Sequence, residues 1–238
     1  MRTKSILIFL MLLCLPWKGG AQDLEYKMEM GGGLGASFYL GDANSTAYAN
    51  MGPMFTAMAR FLLNPRMAIK TNLSMGCISG DTGSTFFPID PWSETPEGGQ
   101  LGMATFKRNV FDLGAQFEFN FWGYGPDGGY KGWKRFTPYM LMGIGFTFAP
   151  KPVDAVFAVN IPVGVGVKYK VRERWNIGLE WSIRFTTSDK LDVSNKEGIV
   201  LSDPYGIKSS GFKNKDCYSF TTFFVTYDMF PKYRKCNN

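Results

Sequence analysis

Residues 109–121 read Asn109-Val110-Phe111-Asp112-Leu113-Gly114-Ala115-Gln116-Phe117-Glu118-Phe119-Asn120-Phe121, and this stretch decides the fold. From Phe111 onward, every second residue is apolar: Leu113, Ala115, Phe117, Phe119 and Phe121. Between them stand Asp112, Gly114, Gln116, Glu118 and Asn120. Residues i and i+2 share a face only when the backbone is extended. A helix would scatter the two carboxylates among the phenylalanines. The stretch is a strand with a bulky apolar face and a polar face.

Seven further segments alternate in the same way, over residues 26–40, 54–63, 67–77, 136–148, 157–169, 175–185 and 218–229. The segment at 218–229 is apolar on both faces, and Thr226 and Asp228 point Phe223, Val225 and Tyr227 outward. Eight strands result, most of about 11 residues, the length a tilted strand needs to cross a bilayer. Their connections alternate between tight turns and long loops, as in outer-membrane barrels with short periplasmic turns. No stretch after the N-terminal segment has 18 apolar residues in a row, which excludes a spanning helix.

A soluble barrel would bury its apolar face and leave its polar face in water. Here the apolar face is the bulky one, and the polar face is rich in Gly and holds the charges. Glycine inside and phenylalanine outside fits lipid as the outer solvent. The expected fold is all-β: an eight-stranded antiparallel up-and-down transmembrane barrel of the outer membrane, both termini periplasmic.

The chain has 238 residues and opens with Met1-Arg2-Thr3-Lys4, an apolar run at 6–15 and Gly19-Gly20-Ala21. A basic start, a short apolar core and a small-residue site mark a signal peptide at 1–21. Residues 22–230 then form the barrel, and 231–238 a basic periplasmic tail. Removing Arg2, Lys4 and Lys18 lowers the net charge from +6 to +3. Nucleic-acid binding draws little support from that balance.

Histidine is absent, which excludes His-based triads, His general bases and His metal sites. Asp112 and Glu118 lie six residues apart on one strand, about 20 Å, too far for paired acid–base chemistry. No catalytic residue, cofactor, metal or small-molecule substrate is expected. The G-x-G-x-x-A match at Gly31 to Ala36 leads into more strand, Ser37-Phe38-Tyr39, instead of the helix a dinucleotide site requires. Cys77 and Cys217 sit on strands that are not neighbours, so a disulfide is not favoured. Pro138 and Pro162 fall inside strands, where a bulge or bend is expected at each.

By parity the interior collects Lys27, Arg60, Lys70, Lys168 and Arg184 against Glu29, Asp112, Glu118 and Glu180. Eight strands leave room only for side chains, so these residues read as an ion-pair plug and not a pore. Tyr26, Tyr39, Trp122, Tyr169, Trp175, Tyr218 and Tyr227 lie near strand ends, as in an interfacial girdle. The charges split by side. The turns and tail on the side of the termini hold Arg66, Lys131, Lys134, Arg135, Lys170, Arg172, Arg174, Lys232, Arg234 and Lys235 against Asp127, Glu173 and Asp228. This face suits either phospholipid head groups or a periplasmic partner. In the second case Trp122, Tyr124, Tyr130 and Trp133 of the longest turn are candidate anchors.

Several motifs resemble one family: Gly35-Ala36-Ser37-Phe38-Tyr39-Leu40-Gly41-Asp42, Gln116-Phe117-Glu118-Phe119-Asn120-Phe121, Phe136-Thr137-Pro138-Tyr139, Ile161-Pro162-Val163-Gly164-Val165-Gly166-Val167-Lys168-Tyr169 and Trp175-Asn176-Ile177-Gly178-Leu179-Glu180. Together with Thr187-Ser188-Asp189-Lys190-Leu191-Asp192 and the end at Lys235-Cys236, they look like the PorG-like outer-membrane barrel of the type IX secretion system. The chain departs from that pattern at Asp189-Lys190-Leu191-Asp192, where the family carries a Tyr and a second Asp. The resemblance implies a non-catalytic accessory barrel that ties the periplasmic, lipoprotein-containing ring of the machine to the outer membrane. Two rival readings are a stand-alone surface barrel with binding loops and a lipid-modifying enzyme.

Overall fold

The computed structural model describes residues 26–41, 46–81, 105–126, 132–150, 155–188, 191 and 216–231. Eight antiparallel strands close into one barrel in sequence order, with no helix among them. They are β1 (Tyr26–Leu40), β2 (Gly52–Asn64), β3 (Met67–Asp81), β4 (Thr105–Asn120), β5 (Phe136–Ala149), β6 (Val156–Lys170), β7 (Trp175–Thr186) and β8 (Cys217–Pro231). The signal peptide and the tail beyond Pro231 lie outside the described residues.

The alternation quoted above holds along β4. Phe111, Leu113, Ala115 and Phe117 are exposed, while Asp112, Gln116, Glu118 and Asn120 are buried. The same inversion runs around the wall. Leu34, Phe55, Leu73, Met142, Val163, Leu179 and Phe223 point outward, and Arg60, Lys70, Lys168, Glu180 and Arg184 are almost fully buried. In water this would leave the apolar groups solvated and the charges desolvated, the wrong way round for both. In lipid the outer wall meets hydrocarbon and every strand finds a neighbour for its backbone groups. The chain is a membrane-spanning barrel of the outer-membrane type.

The barrel closes where β1 meets β8, in one register from Tyr26 opposite Pro231 to Leu40 opposite Cys217. Gly31, Gly33 and Gly35 face inward there. A Cβ on them would lie 2.0, 2.6 and 1.9 Å from the carbonyl oxygens of Val225, Phe223 and Thr221. The glycine run is thus a seam of close backbone approach within a strand, not a phosphate loop.

Two expectations need correction. Of the bulge or bend expected at each proline, neither is a bulge. Pro138 stays in register opposite Val167, and around Pro162 the β5–β6 ladder is interrupted and resumes in the same register. The described register shift lies instead in β2, between Leu62 and Asn64. Tyr39 and Tyr218 belong to no outer girdle: both are fully buried, Tyr39 edge-on to Phe106 and Tyr218 hydrogen-bonded to Asp112. Phe38 points outward but is covered, because Tyr48 folds back against it with ring centroids 4.6 Å apart. Cys77 and Cys217 are both free.

Candidate functional site

The interior is built in layers, each set by which strand positions share a depth. In the middle, Arg60 of β2 donates from Nε to both oxygens of Glu118 of β4, at 2.9 and 3.0 Å. Its Nη1 reaches Glu29 of β1 at 3.4 Å, and its plane stacks over Phe224, 4.4 Å from the ring centroid. Lys70 of β3 binds both oxygens of Glu180 of β7 at 2.6 and 2.7 Å, and Tyr139 donates to the same carboxylate at 2.7 Å. Lys168 of β6 lies 3.5 Å from Glu118. A guanidinium N–H shared between the two oxygens of a carboxylate is a charge-assisted bond, stronger than a neutral one.

Toward the long loops, Asp112 is the hub. Arg184 lies 3.2 Å from its Oδ1 and stacks on Phe220 at 4.1 Å. Asn72, Asn160 and Tyr218 donate to Asp112 at 3.0, 2.8 and 3.0 Å. Beyond this layer an apolar cluster fills the loop end, with Met54, Ile78, Phe106, Val110 and Leu191. Leu191, on the segment after β7, is fully buried there.

At the opposite end the described parts of the β4–β5 connection, residues 121–126 and 132–135, lie over the mouth. Tyr124 is tied to the β2–β3 turn: its N–H donates to the Pro65 carbonyl at 3.0 Å. Gly125 donates to the Lys134 carbonyl at 3.2 Å, and Lys134 donates to the Gly123 carbonyl at 2.8 Å. Trp133 packs against Gly125, where a Cβ would lie 2.2 Å from the indole. The Tyr124 ring sits under Lys168 and Lys170, with ammonium-to-centroid distances of 4.9 and 5.2 Å. Its hydroxyl donates to Asn176 at 2.8 Å, and Asn176 donates to Asp228 at 2.7 Å. Lys170 pairs with Asp228 at 2.5 Å. Burial, then the Glu29 and Asp228 carboxylates, push the Tyr124 phenol up, which keeps it a neutral donor.

Of the nine expected interior charges, the structure brings Glu29, Arg60, Lys70, Asp112, Glu118, Lys168, Glu180 and Arg184 together. Lys27 has the right parity but lies exposed at the turn-end rim, beyond the last ion pair. Lys170 and Asp228, read from the sequence as turn charges, belong inside. With that exchange the described ion-paired interior holds five cations and five carboxylates. Among the candidate anchors, Trp122, Lys134, Arg135, Arg172 and Arg174 are exposed, while Tyr124 and Trp133 are buried in the cap. Tyr130, Lys131, Lys232, Arg234 and Lys235 lie outside the described residues. Among the described residues no cluster of His, Cys, Asp or Glu is arranged to hold a metal.

The cap gives a direct expectation. Tyr124→Ala leaves Asn176 without its donor and uncovers two cations, at a cost of about 1–3 kcal/mol. Tyr124→Phe keeps the ring and loses only one hydrogen bond, about 1 kcal/mol. Urea unfolding midpoints in lipid vesicles should order wild type, Phe variant, Ala variant. Equal midpoints for all three would mean the turn does not brace the barrel.

The fold and interior define the class: a small outer-membrane-type barrel whose described interior is packed with paired charges. The chain belongs to the family described as "Domain of unknown function (DUF6089)", whose pattern matches residues 4–238. No curated protein matches it in sequence. Among solved structures it is similar to Ail, the attachment invasion locus protein of Yersinia pestis, with TM-score 0.46, 10% identity and coverage of 87% of this chain and 100% of Ail. Neisserial surface protein A gives TM-score 0.47 and 9% identity over 87% of this chain and 98% of that one. The N-terminal β-barrel domain of OprF from Pseudomonas aeruginosa gives 0.42 and 10% over 86% and 98%. The assignment to a membrane rests on the barrel's own outer surface.

Proposed function

We propose that the protein is a non-catalytic outer-membrane barrel that anchors or stabilises the periplasmic ring of the type IX secretion machinery. In this reading both termini and the 121–135 turn face the periplasm. The observation that carries the anchoring part is the filled interior, from the Tyr124 cap through the Arg60–Glu118 layer to Leu191. Such a barrel offers no aqueous path, so its work falls to the surfaces it holds in place. The partner comes from the resemblance to PorG-like barrels. Its ring, with a lipoprotein component, would meet the turn end, where Trp122, Lys134 and Arg135 are exposed and Lys134 lies 4.7 Å over the Trp122 ring. Exposed aromatic and Arg groups are the side chains that interfaces use as anchors.

The test is to change Lys131, Lys134 and Arg135 together to Glu. The barrel should still reach the membrane with heat-modifiable mobility, while a gentle-detergent pull-down loses the ring lipoprotein and secretion falls at least tenfold. A folded triple variant that retains the ring removes this turn from the interface. A wild-type barrel that retains no ring component removes the reading itself.

A further inference from the structure

The corner where β7 meets β8 and β1 carries an arginine that the sealed interior leaves unused. Arg174 ends the tight turn between β6 and β7, which is pinned by backbone bonds between Val171, Arg172 and Trp175. Its own carbonyl accepts from the Asp228 N–H at 2.8 Å, so its Cα is fixed to β8. The side chain is exposed, yet it is not free to wander. Nε donates to the Tyr26 hydroxyl at 3.3 Å and Nη1 to the Tyr227 hydroxyl at 3.2 Å. The Tyr26 hydroxyl in turn donates to the Glu173 carboxylate at 3.5 Å. Two of five guanidinium N–H groups are thus spent on holding the fork in place, and three remain for another acceptor.

The depth of this fork sets what it meets. Trp175 and Tyr227 pack edge-to-face at 5.2 Å on the outer wall, in the same outward rows as Leu179 and Val225. Amphipathic rings on a lipid-facing wall sit at the head-group level. Arg172, two residues before Arg174, is exposed on the same turn. Glu173 is the single carboxylate opposing these two cations among the described exposed residues of the corner.

We propose that this corner is a binding site for the phosphate of an anionic phospholipid, with Arg174 as its fixed fork and Arg172 as supporting charge. A guanidinium matches phosphate oxygens bidentately, and basic groups at this depth draw anionic head groups. A lipid is the occupant because the Arg174 fork is tied to Tyr227, whose ring packs on Trp175 on the lipid-facing wall, and not to the end face that a soluble partner would approach. The site is separate from the 121–135 turn, and its test uses neither secretion nor orientation.

The full barrel would be placed in nanodiscs of mixed phosphatidylcholine and phosphatidylglycerol, and the lipids it retains after release counted by native mass spectrometry. Wild type should retain phosphatidylglycerol in excess of its share. The double change Arg172→Gln and Arg174→Gln should cut that excess at least threefold while the barrel keeps its heat-modifiable mobility. Arg174→Lys, which keeps the charge and loses the fork, should cut it less than the double variant. Excess inorganic phosphate should leave the retained lipid in place. The proposal is overturned if wild type shows no preference for phosphatidylglycerol, if the folded double variant retains as much as wild type, or if inorganic phosphate displaces the lipid.

Discussion

Glu118→Gln should be the most damaging single change in the interior, lowering the stability of the folded barrel by about 3–5 kcal/mol. Glu118 receives the Arg60 Nε–H on both oxygens and lies within 3.7 Å of Lys70 and 3.5 Å of Lys168. Neutralising it leaves three buried cations facing only Glu29 and Glu180. An uncompensated charge in so dry a site costs far more than the pair contributes when intact. Changing Arg60 to Met as well should restore part of the loss, because one orphaned cation is removed along with its partner. The check is a double-mutant cycle from urea midpoints in lipid vesicles. A single variant with a wild-type midpoint would mean that the pair is incidental to folding.

Phe117→Lys should prevent stable insertion. Phe117 is exposed on the outer wall and pairs in register with Met142, which itself lies opposite Val163. These residues stand near the centre of the apolar band, where a Lys costs about 2–4 kcal/mol. Phe136→Lys probes the same wall at the turn end, beside Trp122, where the cost falls to about 0–1 kcal/mol. The fraction of heat-modifiable barrel in outer membranes should therefore collapse for Phe117→Lys and stay near wild type for Phe136→Lys. Equal losses would contradict the depth assigned to one of them.

The wall was legible because the barrel imposes the same period of two that the sequence carries. Wherever apolar and polar residues alternate, as from Phe111 to Asn120, face and partner follow together. Interior residues in mid-strand, such as Arg60, Asp112 and Glu180, inherit that certainty. Strand ends do not. Lys27 has interior parity, but the β1 end at which it sits lies past the last layer of partners. Lys170 and Asp228 look like turn charges in a linear reading and pair only once β6 and β8 are set around the mouth. Tyr124 and Trp133 look like exposed anchors because nothing in their spacing says that the turn folds inward. The single hint was local: glycines at 123 and 125 leave room for an indole to lie against the backbone. Phe38 shows the same limit at the other end, since its cover comes from Tyr48, ten residues on and across a loop. The absence of a bulge at the prolines has a different reason. A missing N–H interrupts a ladder without adding a residue, so Pro162 breaks bonds and leaves the register alone.

The glycine seam between β1 and β8 also governs how the chain can be made. Its two sides are the first and last strands, separated by nearly the whole length of the barrel. Until β8 is present, β1 has β2 on one side and a bare row of amides and carbonyls on the other. In hydrocarbon each such unpaired group costs several kcal/mol, so an unfinished wall has no resting state inside the bilayer. Translation must therefore run past Phe223 and Val225 before any of the barrel can be stably housed in the membrane. A chain cut short of those residues is a substrate for periplasmic proteolysis, however well its first seven strands would pair.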